Sequence, residues 1–258
     1  MNDVEIKRDF VIKSRINKLR YKREKLKLKE ERNIKMKQLY LREMRKNPND
    51  PPKRSLLEEI GNAITHGVGS AFAITALVLM LVNSKTTAER IAACIYFTGM
   101  FFMYTTSCLY HSFKHGTYAK KLFRKFDYTG IYLMIGATFA PVLLVHFGNT
   151  FGIVFFIVQW IVIAAGITLI SVFGPSRFRF VHIPLYVVLG WSALMLMPGM
   201  LNGRFDMAMW ILAGGVVYSV GIIPYTLKFK SSHFVWHFFV MLGALTQWIG
   251  IFFHLYLN

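Results

Sequence analysis

Acidic residues and cysteines are scarce in this chain of 258 residues. After residue 60 the only acidic residues are Glu89, Asp127 and Asp206. The two cysteines, Cys94 and Cys108, fall in one predicted helix, in which the 14 residues from one to the other correspond to roughly 21 Å. That separation is too long for a disulfide bond between them, so the cysteines provide no covalent framework.

The beginning of the chain also has no long apolar run, and therefore no pattern typical of a cleavable signal peptide. The first such run begins near residue 62, after a charged segment. Of 31 lysines and arginines, 19 lie in residues 1–54, and of 13 acidic residues, 10 lie in residues 1–59. We therefore divide the chain into a basic cytoplasmic arm, residues 1–54, expected to be partly helical or disordered, and an apolar body, residues 55–258.

The arm mixes Lys, Arg and Glu with isolated apolar residues, which is typical of a solvated, partly helical segment. The alternative is a segment that binds anionic lipid head groups, because each Lys or Arg near such a surface gains ~1 kcal/mol. No motif of nucleic-acid binding accompanies the charge, so no nucleic-acid partner is expected. The stretch Asn47-Pro-Asn-Asp-Pro-Pro52 ends the arm.

Seven apolar runs follow in the body, each of about the length that crosses a bilayer core. They predict an all-α membrane protein, a bundle of seven transmembrane helices. The predicted spans are 62–82, 88–110, 127–146, 151–173, 181–201, 207–227 and 233–257.

Lysines and arginines are concentrated on one side of these spans. Besides the arm, that side has loops containing Lys114, Lys120, Lys121, Arg124, Lys125, Arg177, Arg179, Lys228 and Lys230, whereas the other side has only Lys85, Arg90 and Arg204. The positive-inside rule then predicts a multi-pass protein of the cell membrane whose amino terminus is cytoplasmic and whose carboxyl terminus is outside. No oligomeric state is predicted.

This topology brings distant polar residues to one face of the membrane. His111 ends span 2, Asp127 begins span 3, and His233 and His237 begin span 7. Residues four apart lie on one face of a helix, so the last two imidazoles are stacked one above the other. Further polar residues lie at the same level: Ser107, one turn deeper than His111, and Glu58, Glu59, Asn62, Thr65 and His66 at the start of span 1.

Three neutral imidazoles are a common ligand set of catalytic zinc sites, which keep a fourth position for water. Zinc lowers the pKa of that water to roughly 7, and a nearby carboxylate such as Asp127 can act as general base. Ser107 is a candidate hydrogen-bond donor to a substrate carbonyl. The residues alone leave an alternative open, in which the histidines only pack at the interface and Asp127 pairs with Arg124 or Lys125.

The remaining histidines are weaker candidates for metal ligands. His115 lies one turn beyond His111, in the predicted loop, and is a minor candidate for a ligand. Packing or interfacial roles are expected for the others: His146, His182 and His254.

These residues resemble the hemolysin III family, part of the progestin and adipoQ receptor group in a superfamily that includes alkaline ceramidases. The resemblance covers about residues 55–258, and its motifs are Glu59-x-x-Asn62-x-x-Thr65-His66, Ser107-x-x-x-His111, Asp127 and His233-x-x-x-His237. It implies a seven-helix fold with Zn²⁺ near the cytoplasmic side. The implied ligands are His111, His233 and His237, with Asp127 as the partner of the zinc-bound water.

The resemblance further implies a zinc-dependent hydrolase that cleaves an amide or ester bond of a membrane lipid, with Ser107 and Asp127 as catalytic residues. A cytolytic, pore-forming protein is one alternative. The other is a sensor or receptor with structural zinc, closed by a fourth ligand from among His66, His115 or Asp127. Supporting or structural roles are expected for the span 1 residues Glu59, Asn62, Thr65 and His66, with His66 hydrogen-bonded inside the bundle.

Overall fold

The protein is described by a computed structural model that covers residues 3–44, 49–201, 203–227, 229 and 231–257. These residues are mostly helical and include no strand, which confirms the predicted all-α fold. The chain divides into two compact units, Met1–Asp50 and Pro51–Asn258. Four residues named above lie outside the described ranges: Asn47, Pro48, Lys228 and Lys230.

The first unit contains a single long helix, α1 (Asp3–Met44). The side chains described between residues 15 and 36 are exposed, including apolar ones such as Leu19 and Leu28. The apolar residues of α1 are distributed around the helix and form no continuous stripe, so α1 is not an amphipathic helix with a buried face.

The described residues of the second unit include seven helical segments that are long and apolar enough to cross a membrane, as predicted. Three of them include irregular turns: α4 and α8 end in π-helical turns, and α6 contains a 3₁₀ stretch at Ser192–Leu196. The segments are α2 (Leu56–Asn83), α3 (Thr87–Ser112), α4 (Tyr118–Phe147), α5 (Thr150–Phe173), α6 (Arg179–Leu201), α7 (Phe205–Leu227) and α8 (Ser232–Tyr256).

Local capping sets where these helices begin. The Ser55 hydroxyl accepts a hydrogen bond from the backbone N–H of Glu58, and Thr86 forms a capping box with Glu89. Because α2 begins at Leu56 and not near 62, the acidic residues Glu58 and Glu59 lie in its first turn, where the helix dipole favours them.

The start of α4 differs most from the sequence-based prediction. The helix begins at Tyr118, capped by the Thr117 side chain, and not near residue 127. Hydropathy places Lys120 and Arg124 in a loop because a charge is costly inside a membrane. The structure includes them in the helix, since Lys120 is paired with Glu59 and Arg124 donates to the Ser176 hydroxyl at 2.8 Å.

Helix α2 packs against both α3 and α8, and these contacts position the site described below. Helices α3 and α4 approach closely at Gly99, where an added Cβ would lie 2.7 Å from the carbonyl oxygen of Leu133. We call the end of the bundle where α2, α4 and α8 begin and α3 ends the proximal end.

Candidate metal centre

Three histidines converge at the proximal end of the bundle. His111 lies in the last turn of α3, and His233 and His237 lie in the first two turns of α8. The Nε2 atoms of His233 and His111 are 3.3 Å apart, as are those of His237 and His233. Among the residues that the structure describes, these three form the group that can hold a metal ion, with one ligand atom from each within 4.8 Å of the others.

The spacing of the nitrogens suits a small tetrahedral ion. Zinc–nitrogen bonds of 2.0–2.1 Å at tetrahedral angles place ligand nitrogens about 3.3 to 3.4 Å apart. Both measured Nε2 distances, from His233 to His111 and to His237, equal 3.3 Å. Three protein ligands leave a fourth position free, which is the arrangement of catalytic rather than structural zinc sites.

Hydrogen bonds behind two of the rings fix the nitrogen that faces the centre. The Nδ1 atom of His111 lies 2.6 Å from a carboxylate oxygen of Glu59, and since a carboxylate only accepts, Nδ1 carries the hydrogen. The Thr65 hydroxyl donates to the carbonyl of Gly61 or Asn62, each 3.0 Å away, and can therefore accept from the Nδ1–H of His237 at 3.2 Å.

In these tautomers the Nε2 lone pairs of His111 and His237 point into the same space. Two converging lone pairs repel each other unless a cation or a hydrogen-bond donor lies between them. Outer hydrogen bonds that fix a ring in this way are the usual partners of metal-bound histidines. The donor set therefore fits a metal ion, and Glu59 and Thr65 now have defined contacts that the span 1 motif alone did not provide.

The other residues of this motif also touch the histidines. The side-chain amide of Asn62 lies 3.4 Å from Nδ1 of His111. The ring of His66 stacks on that of His237, with centroids 3.7 Å apart and planes 6° from parallel. Neither ring nitrogen of His66 has a hydrogen-bond partner among the described residues, so the expected hydrogen bond is replaced by stacking.

Asp127 and Ser107 adjoin the three histidines without belonging to the ligand group. Asp127 lines the cavity that His233 and His237 also line, and its carboxyl interacts electrostatically with His111. The fully buried hydroxyl of Ser107 lies next to that carboxyl, although it makes no hydrogen bond of ordinary geometry with the described residues. A carboxylate at this position can receive or deliver a proton.

The remaining histidines lie elsewhere. His115 is exposed in the turn after α3 and is not part of the ligand group. His182 is buried and hydrogen-bonds through Nδ1 to the hydroxyl of Tyr132 at 2.9 Å, while His146 packs edge-on against Phe147.

Lys120 is the residue that sequence reasoning missed. The sequence predicts a loop cation at this position, but the side chain is 1% exposed and its ammonium lies 2.8 Å from the second carboxylate oxygen of Glu59. The available signal was its spacing: Lys120 precedes Asp127 by seven residues, about two helical turns, which places both on one face of a helix.

An apolar cavity extends from the histidines into the bundle. The part of it that admits the centre of a water molecule has a volume of about 180 Å³. Asp127 and His233 line it at the proximal end, and Met200 and Ile251 line it at the distant end. From His237 to Ile251 the chain advances 14 residues along α8, or roughly 21 Å.

The fold and the site define a seven-helix membrane protein with three histidines arranged to hold a metal ion. Comparison with known proteins agrees with this class and narrows it. The family model described as "Haemolysin-III related" matches residues 54–248. The chain belongs to the haemolysin III family.

Similar proteins come from bacteria and from animals. The chain is 32% identical to "Hemolysin-3" of Bacillus cereus over 205 residues, which cover 76% of this chain and 91% of that protein. It is 30% identical to the "Hemolysin-3 homolog" of Bacillus subtilis, over 78% of this chain and 95% of that protein. The human "Monocyte to macrophage differentiation factor" is 27% identical, over 79% of this chain and 87% of that protein.

Proposed function

We propose that this protein is an integral-membrane, zinc-dependent hydrolase that cleaves an amide or ester bond of a lipid. One observation carries the proposal: the three ligand nitrogens converge at the proximal end of a long apolar cavity. A lipid whose acyl chain occupied that cavity would have its polar linkage at the histidines. The depth of roughly 21 Å exceeds one leaflet, since a hydrocarbon core of about 30 Å contains two.

The donor set favours zinc over harder cations. Three imidazole nitrogens suit zinc, with two of their three spacings at the tetrahedral value of about 3.3 Å and all within 4.8 Å, whereas Mg²⁺ and Ca²⁺ prefer oxygen ligands. When bound, zinc supplies Lewis acidity towards a carbonyl oxygen and lowers the pKa of a coordinated water to roughly 7.

The chain's own residues supply proton transfer and orientation. Asp127 accepts a proton at its carboxylate and returns it to the leaving group, because it faces the cavity without being a ligand. Ser107 stabilises this carboxylate or the substrate carbonyl from its buried position. The hydroxyls of Tyr128 and Tyr225, 3.0 Å apart and both lining the cavity, leave one hydrogen for a polar head group.

The distribution of lysines and arginines supports an orientation of the protein in the membrane. With 19 of the 31 lysines and arginines in residues 1–54, the positive-inside rule supports a cytoplasmic amino terminus in the cell membrane. The proximal end, where α2 begins, would then be the cytoplasmic side, and the scissile bond would lie in the cytoplasmic leaflet.

The first test measures zinc in the detergent-purified protein by mass spectrometry, beside a His233→Ala, His237→Ala double variant. We expect about one zinc per chain, lost in the double variant. Amide and ester lipids in mixed micelles are then screened for cleavage. Asp127→Asn should keep zinc and lose hydrolysis, whereas Asp206→Asn, an exposed acid in the first turn of α7, should change neither.

Each alternative has its own outcome. Loss of zinc in Asp127→Asn would make Asp127 a ligand and favour a sensor or receptor with a closed structural site. Lysis of vesicles by the purified protein, undiminished in the double histidine variant, would favour a cytolytic role. Purified wild-type protein that contains no zinc would refute the proposal of a zinc-dependent hydrolase.

A further inference from the structure

Lys120 is a fully buried cation in the first turns of α4. Its side chain is 1% exposed, and its ammonium has three neighbours among the described residues. It donates to the carboxylate of Glu59 at 2.8 Å, lies 3.5 Å from the carbonyl oxygen of His111, and lies 4.7 Å from the ring centroid of Tyr110. Burying an ammonium group costs free energy unless the group is paired. The burial of Lys120 therefore depends on these contacts.

Glu59 connects this cation to a metal ligand. One carboxylate oxygen accepts from Lys120, and the other accepts from the Nδ1–H of His111 at 2.6 Å. The three residues come from three helices, α4, α2 and α3. A carboxylate held at both oxygens has a fixed plane, and that plane sets the orientation of the imidazole that it accepts from.

We propose that Lys120 is a positioning residue for the metal centre, acting on His111 through Glu59. This inference rests on the metal centre of the proposed function. The ammonium locks Glu59 as a two-sided acceptor, and Glu59 holds the His111 ring so that Nε2 faces the ion. Lys120 does not touch the ion or a substrate, so its effect is on metal affinity and ligand geometry. Removing a group that hydrogen-bonds a metal ligand, as Glu59 does His111, typically changes metal affinity 10–100-fold, and Lys120 can reach that range only through Glu59.

The test compares zinc dissociation constants of the full-length protein in detergent by competition with a chromophoric chelator. We expect Lys120→Met to weaken zinc binding about 10–100-fold. Lys121→Met removes the same charge at the exposed neighbouring position and should leave the affinity unchanged. Lys120→Gln keeps a donor for Glu59 without the charge, and should lie between wild type and Lys120→Met; it also serves if Lys120→Met does not fold.

A double-mutant cycle separates positioning from general destabilisation. If Lys120 acts through Glu59, the Glu59→Gln, Lys120→Met double variant should bind zinc about as weakly as Glu59→Gln alone. Affinity losses that multiply would overturn the inference. Cobalt(II) gives a second readout, because its visible absorption depends on ligand geometry and should change in Lys120→Met but not in Lys121→Met.

The outcomes also distinguish this inference from the proposed function. Wild-type protein that binds zinc, together with an unchanged Lys120→Met, would overturn the positioning role and leave the hydrolase standing. Wild-type protein that binds no zinc would overturn both.

Discussion

Replacing Thr65 with Val tests whether the fixed tautomer of His237 prepares the metal centre. The substitution keeps the shape of the side chain and removes the hydroxyl that can accept from Nδ1 of His237. Thr65 is 8% and His237 1% exposed, so water is not available to replace the lost partner. A buried donor left without a partner costs about 1–3 kcal/mol.

This cost falls mainly on metal binding. Without the ion, the ring of His237 can move its hydrogen to Nε2 and donate to Nε2 of His233, 3.3 Å away. Metal binding requires Nε2 to be free, which returns the hydrogen to an Nδ1 that faces a valine methyl group. At 1.4 kcal/mol per factor of ten, the penalty corresponds to roughly a 5- to 150-fold weaker zinc affinity.

The assay is a zinc titration in detergent against a chromophoric chelator. The matched control is Thr75→Val on the same helix, where an exposed hydroxyl donates to the carbonyl of Ala71 at 3.1 Å and has no contact with the histidines among the described residues. Thr65→Val should weaken binding while Thr75→Val does not, and the metal-free Thr65→Val protein should melt near the wild-type temperature. An unchanged affinity in Thr65→Val would refute the tautomer argument.

Two further predictions concern packing and the arm. Gly214→Ala should lower the melting temperature, by an overpacking cost of about 1–3 kcal/mol, because its Cβ would lie 2.9 Å from the carbonyl oxygen of Gly243. In Gly215→Ala the added Cβ meets nothing within 4 Å, so this substitution should be neutral or stabilising. Equal melting temperatures for the two variants would contradict the close packing at Gly214. A peptide of residues 1–54 should cosediment with anionic but not neutral vesicles, and 1 M salt should release it, since the screening length falls to about 3 Å. Binding that does not depend on salt would rule out electrostatic attraction between the arm and anionic lipids.

The number and order of the helices could be predicted from the sequence because membrane spanning imposes length and hydropathy on each segment. The convergence of His111, His233 and His237 was predictable for a related reason. Once alternate helix ends are assigned to one face, residues at those ends lie at one depth. Spacing and topology together are then enough to predict that His111 and His233 lie close together, although they are 122 residues apart in the sequence.

The supporting contacts were not predictable in the same way. A hydropathy scale counts every lysine as unfavourable in a membrane helix. It therefore predicts that Lys120 lies in a loop and that α4 begins after it. Its place inside the helix depends on a partner, Glu59, that is 61 residues away in the sequence. Pairing between distant side chains leaves no signal in the sequence that names the partner, and the packing of both α2 and α4 against α3 brings these two charges together.

Helix α2 explains why the motif at its start has its particular spacing. Glu59, Asn62 and Thr65 follow one another at intervals of three residues, and His66 lies four residues after Asn62, so all four lie in one stripe on one helix face. The upper part, Glu59 and Asn62, touches His111 of α3, and the lower part, Thr65 and His66, touches His237 of α8. One helix thus orients histidine rings on two others, and a shift of α2 by a single residue would rotate the stripe by about 100° and release both. The three histidines that could hold a metal ion lie on α3 and α8, but α2 supplies the contacts that orient two of them.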